Sequence, residues 1–166
     1  MDTEKPVDYS TLTLEMENWR KIKNASNIYF EAAHVLFENF DNGMKNNIEI
    51  EKSLIIPQVV LQIFSCELSL KALLLRENIV YTNTHDLKSL FNKLPIQYKN
   101  NIKISVVNDM RLKFKETCDF ENELENISNM FIKLRYYFED ENNKEITVGF
   151  IDAFSSTLKR EVGDYE

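Results

Sequence analysis

Three glycines and three prolines in a chain of 166 residues leave little material for tight turns. Sandwiches, barrels and doubly wound α/β folds need many such turns, and glycine or proline supplies the backbone geometry for most of them. The scarcity predicts long helices joined by a handful of loops. It also removes every phosphate-cradling glycine loop, because no two glycines lie close together. A chain of this length predicts one domain able to bury a core without metal or disulfide staples. Hydrophobic content of 43% with 28% charged residues argues against disorder.

Hydrophobic periodicity places the helices. Residues 1–16 are polar, contain Pro6 and show no sustained period, so they read as a flexible arm ahead of a single domain over 17–162. From Asn18 to Asp41, Trp19, Ile22, Ala25, Tyr29, Ala32, Ala33, Leu36, Phe37 and Phe40 form one stripe along a helix. Asn42-Gly43 is the expected stop, and Met44 to Glu51 a connection. From Leu54 to Leu75 nearly every face is apolar, long enough to span a bilayer. Gln58, Gln62, Glu67 and Lys71 interrupt the run, and charges near the middle of a spanning helix are costly. The expectation is a central bundle helix and no membrane, with Pro57 in the first turn.

Thr84 is the expected N-cap of a short helix carrying Leu87, Leu90, Phe91 and Leu94, closed by Pro95. In residues 96–118, Ile102, Val106 and Met110 suggest a helix, while Ile104-Ser105-Val106-Val107 reads equally well as extended. Asp119 is positioned to cap a further helix with Phe120, Leu124, Ile127, Phe131, Leu134 and Phe138 at steps of three and four. After an acidic, Asn-rich turn, a last helix carries Phe150, Ile151, Phe154, Leu158 and Val162. The pattern predicts an all-α, antiparallel bundle of four to five main helices.

The net charge of −7 disfavours binding to long nucleic acid, which depends on neutralising many phosphates, although a local basic groove is compatible with it. Cys66 and Cys118 are far apart and in apolar surroundings, as free thiols of a reducing compartment are. With a polar, acidic N-terminus in place of a secretory signal, a cytoplasmic location is expected. Only two histidines occur, with no HxxxH or CxxC spacing, so no metal site and no cofactor are expected. His34, beside two alanines, reads as a packed or rim residue, and no serine is marked as a nucleophile. Glu67 has two readings: an ordinary pair with Lys71 at the bundle rim, or an inward carboxylate partnering Arg135. Tyr136 and Glu139 would add polar handles beside that arginine.

Three blocks, ELSLKALLL, THDLKSLFNKLP and FIKLRYYFED, stand in an order and spacing that resembles the HEPN superfamily of small helical bundles. The likeness is to a bacterial branch with Glu-x-x-x-Lys, then His-Asp-Leu with a Leu-Phe-x-x-Leu-Pro tail, then Arg-Tyr-x-x-Glu, and it covers about residues 54–140. It implies a homodimer, and either a metal-independent ribonuclease or a non-catalytic module in bacterial defence or toxin–antitoxin systems. Ribonuclease members carry an arginine followed four to six residues later by histidine. Here Arg135 is followed at those offsets by Glu139, Asp140 and Glu141, and Arg20, Arg76, Arg111 and Arg160 also lack the histidine. Metal-free cleavage needs a group that exchanges a proton near neutral pH, which imidazole does unperturbed.

Two functions follow. The first is an accessory or regulatory subunit with a protein partner, in which Glu67, His85 and Arg135 form a buried polar network with Lys71, Asp86, Tyr136 and Glu139. The second is an RNA-cleaving effector with a composite site, Arg135 holding the phosphate, His85 acting as acid or base, and Glu67 orienting one of them.

Overall fold

The computed structural model describes residues 9–81, 84–128, 130 and 147–163. Helix α1 spans Tyr9–Asn46, the short α2 Glu49–Lys52, α3 Ile55–Arg76, α4 Leu87–Asn92, α5 Ile96–Asp109, α6 Phe120–Ser128 and α7 Val148–Gly163. A π-helical turn, Met110–Phe114, extends α5. No strand occurs among the described residues, and the all-α class follows.

Helix α3 is the hub. It packs along α1 on one side and α7 on another, with α4 laid across it. Gln58, Gln62, Glu67 and Lys71 are all buried in this bundle, so the helix that is apolar and long enough to cross a membrane has its polar residues enclosed by protein. Gln58 donates to Gln62 at 2.6 Å, and Gln62 reaches Asp152 of α7 at 3.3 Å. Burial of Leu70, Leu73, Leu87, Leu90, Phe91, Phe150 and Phe154 makes one core. Helices α1 and α3 run antiparallel, since Ser26 meets Ser65 and Ser69 while Trp19 lies against Arg76. Helix α7 runs in the direction of α3, with Gln62 beside Asp152 and Arg76 beside Val162.

The first helix departs from expectation at both ends. Residues 9–16, expected in the flexible arm, are helical, because propagating an existing helix adds one hydrogen bond for each residue fixed. At the other end α1 passes through Asn42-Gly43 and stops at Asn47, whose φ of 57° is left-handed. The Ile48 amide then returns to the Gly43 carbonyl at 2.9 Å, a Schellman closure. Helix α3 ends the same way: Asn78 has φ 56°, and the Ile79 amide reaches the Leu74 carbonyl at 2.8 Å. None of the three glycines has a positive φ. Asparagine, present eighteen times, takes the turn role that glycine usually fills.

Other local expectations are sharpened. The buried stripe of α1 runs through Trp19, Ser26, Phe30 and Ala33, while Ala32 and Phe37 are exposed. Periodicity could not register Ser26, a polar residue that fits because its hydroxyl pairs with Ser69 at 2.7 Å and with the Ser65 carbonyl at 2.9 Å. The expected connection 44–51 contains most of α2. The cap of α4 is Asp86, not Thr84: its carboxylate accepts the Ser89 amide at 2.5 Å, while Thr84 Oγ accepts the Asp86 amide at 3.1 Å and shapes the approach. Asp119 caps α6 as expected, through the Asn122 amide at 3.3 Å. Of the two readings of 96–118, the helix holds as far as Phe114. Phe131, Leu134 and Phe138 lie outside the described residues.

Candidate functional site

Glu67 sits midway along α3 with 2% of its surface exposed. Lys71, one turn on and 8% exposed, donates to Glu67 Oε1 at 2.6 Å. The pair is therefore buried and does not lie at the bundle rim. The Lys71 ammonium lies 5.7 Å from the centroid of the Tyr81 ring. From the far side of the 77–86 connection, His85 Nδ1 lies 3.0 Å from Oε1 and 3.1 Å from Oε2. A carboxylate only accepts, so Nδ1 carries the proton in this contact, and in the neutral ring Nε2 is the basic nitrogen.

Local chemistry explains why these groups meet. Glu67 and Lys71 share a face by the four-residue helical spacing. The Asp86 cap fixes where α4 begins, and His85 is the residue immediately before that cap. Burial of Leu87, Leu90 and Phe91 against the core then sets α4 on α3 with His85 over Glu67. The carboxylate is enclosed, but the imidazole is not: 58% of the His85 side chain is exposed. Of the expected polar network, Glu67, Lys71 and His85 meet, with Glu67 and Lys71 as a buried floor and the histidine outside them. Asp86 is next in sequence, yet its carboxylate serves the helix start. Arg135, Tyr136 and Glu139 lie outside the described residues.

The remaining titratable groups have structural settings. Cys66 is fully buried and desolvation pushes its thiol up; Cys118 is half-buried and its thiol is raised to about 11, by desolvation first and then by Glu123 and Asp119. His34 lies against the Phe30 ring at 4.6 Å, a rim position. Among the described residues no three His, Cys, Asp or Glu side chains gather to hold a metal. Arg76 carries a role that the sequence reading missed. Its guanidinium donates to the Val162 carbonyl at 3.2 Å and the Glu161 carbonyl at 3.1 Å, tying the C-terminal end of α7 to α3. The only sequence signal was its place as the last residue of the apolar run, which does not name a partner.

The HEPN domain matches residues 64–153, from within α3 into α7. That is a little over half of the chain, and the chain belongs to the HEPN family. The domain marks it as a nuclease-like or defence and toxin–antitoxin module. No curated protein and no solved structure matches it. The Glu67, Lys71 and His85 cluster lies within the matched segment.

Proposed function

We propose that the chain is a non-catalytic HEPN module, an accessory or regulatory subunit of a bacterial defence or toxin–antitoxin system that works as a homodimer. One observation carries the reading: Glu139, Asp140 and Glu141 occupy the offsets from Arg135 at which ribonuclease relatives hold their histidine. Three carboxyl groups there repel a phosphate and supply no imidazole to exchange its protons. The investment of Glu67 in a buried pair with Lys71 fits a group that fixes the bundle. Ile28 and Val35, exposed two turns apart on one side of α1, support a second copy as neighbour.

The setting of His85 supports a second reading. A carboxylate on Nδ1 with more than half of the side chain exposed is how a general acid or base is oriented. Arg135 would hold the phosphate, His85 would move the proton, and Glu67 would orient the ring. Incubating the purified protein with total RNA, beside His85→Ala and Arg135→Ala, separates the two. The accessory reading expects intact RNA in every arm. Cleavage by the wild type that is lost in both variants overturns it.

A further inference from the structure

The acidic total conceals one basic stretch. Residues 99–115 hold Lys99, Lys103, Arg111, Lys113 and Lys115 against the single Asp109, five against one, or +4 in a chain of −7. Folding neutralises part of this: Lys103 pairs with Glu121, and Asp109 is shared between Lys113 at 3.1 Å and Arg160 at 3.3 Å. With the exposed Glu116 counted beside Asp109, Arg111, Lys113, Lys115 and Arg160 face two carboxylates, and the end of α5 with its π-helical turn stays positive.

The same surface is apolar. Ile104, Val107, Asn108, Arg111 and Leu112 recur at helical spacing along one side of α5 and the turn, with Ile104 61% and Leu112 71% exposed. Isolated exposed apolar residues need no explanation, but a stripe of them among cations does. Lys115 adds an independent observation. It has φ 58°, a left-handed conformation that the chain elsewhere assigns to Asn47 and Asn78. A lysine there has more backbone cost than asparagine would, and it is fully at the surface. π-Helical turns themselves are concentrated at functional sites.

We propose that this face, Ile104, Val107, Arg111, Leu112, Lys113 and Lys115, docks an acidic amphipathic segment of a partner protein. Carboxylates of the partner would meet Arg111, Lys113 and Lys115, and its apolar side chains would cover Ile104, Val107 and Leu112. The side chains favour a polypeptide over other anionic partners. Single-stranded RNA gains its affinity from stacking on aromatic rings, whereas Ile104, Val107 and Leu112 are aliphatic and the one ring of the turn, Phe114, lies against Gly149 of α7. A lipid surface would bury the Asn108–Arg111 pair among acyl chains, whereas a polypeptide backbone can bond the polar atoms that pair leaves over. The inference deepens the accessory-subunit reading and rests on it for the role of the partner; the binding surface uses none of the Glu67 cluster.

The test uses the full chain and a fluorescent helical peptide of about four turns, with leucine along one face and glutamate elsewhere. Its comparators are the same composition with leucines dispersed, oligouridylate, and vesicles containing phosphatidylserine. Saturable binding of the amphipathic peptide is expected, at least about fivefold weaker for the dispersed one and about tenfold weaker for Arg111→Ala and Leu112→Asn. Lys115→Asn is the decisive variant: it should weaken the peptide about fivefold while raising the thermal midpoint by about 2 °C, since it relieves the backbone. A merely structural lysine cannot show both. No saturable binding, unchanged affinity in all three variants, or tighter binding of the oligonucleotide or vesicles overturns the proposal. RNA cleavage with peptide binding retained would overturn the accessory reading alone.

Discussion

Glu67 occupies a place where an ionised carboxylate is tolerated only if its lone pairs are taken, and Lys71 with His85 takes both oxygens. The two partners are not equivalent. Replacing Glu67 by glutamine leaves one acceptor oxygen, turns the other into a donor amide, and removes the charge opposite a lysine side chain only 11% exposed. We expect about 2–3 kcal/mol lost in urea unfolding, below the range for a fully enclosed pair because the ammonium can still reach water. His85→Ala, at an exposed ring, should lose less than about 1 kcal/mol. A large loss for His85→Ala with none for Glu67→Gln would reverse this assignment. The cysteines are legible at the same scale. With its thiol raised to about 11, Cys118 stays protonated at pH 8, so iodoacetamide should label it roughly a hundredfold more slowly than a free cysteine, and faster as the pH climbs toward 11. Cys66 should be labelled only on global unfolding, since it is fully buried. Mass spectrometry of a labelling time course checks both; rapid labelling at pH 8 contradicts them.

At the scale of elements, the helix ends decide the length of each segment. Two long helices finish on a left-handed asparagine, Asn47 and Asn78, with a Schellman hydrogen bond behind each. Alanine at residue 78 would place a Cβ in the crowded left-handed region and should destabilise the protein by about 1 kcal/mol; glycine should be neutral or slightly stabilising. Thermal melts of Asn78→Ala and Asn78→Gly measure this directly, and equal midpoints would remove the cap from the account. These ends were only partly legible in the sequence. Asn42-Gly43 carries the residue types that usually stop a helix, yet α1 continues for another turn to Asn46. Local composition permits both stops, and the choice depends on where α2 and α3 must begin. Thr84 and Asp86 posed the same ambiguity, because either side chain can accept a backbone amide.

The whole molecule is organised around α3, which buries the longest apolar run in the chain between α1, α4 and α7. Outside that core, α1 leaves Ile28 and Val35 at 68% and 57% exposure, one above the other on its outer side. If a second copy covers them, light scattering at micromolar concentration should report twice the chain mass, and Ile28→Asp with Val35→Asp should return the monomer without loss of helical circular dichroism. A monomer in the wild type would end the homodimer proposal and leave the fold untouched. Charge is also a property of this scale: the −7 of the chain is the sum of an acidic body and a basic face on α5, and only the sum shows in composition.

What the sequence determined by itself follows from interactions that are local. Glycine scarcity, apolar period and capping residues act within a few positions of the chain, so the helical class, the span of α3 and the core residues Leu87, Leu90, Phe91, Leu124 and Phe154 could be read directly, whereas the Glu67–Lys71 pair was one of two readings and was expected at the rim, not in the interior. The three blocks likewise pointed to the HEPN family before any coordinates did. The tertiary structure decided what depends on distant residues meeting. His85 joins Glu67 across eighteen positions because a cap and three apolar side chains seat α4 on α3. Ser26 becomes a core residue only when Ser65 and Ser69 are opposite it. Of the cations of residues 99–115, Lys103 turns to Glu121, while Arg111, Lys113 and Lys115 gather at the end of α5, where Asp109 is shared with Arg160. Sequence separation hides such contacts: their energy comes from burial and paired charge, and neither exists until the helices pack.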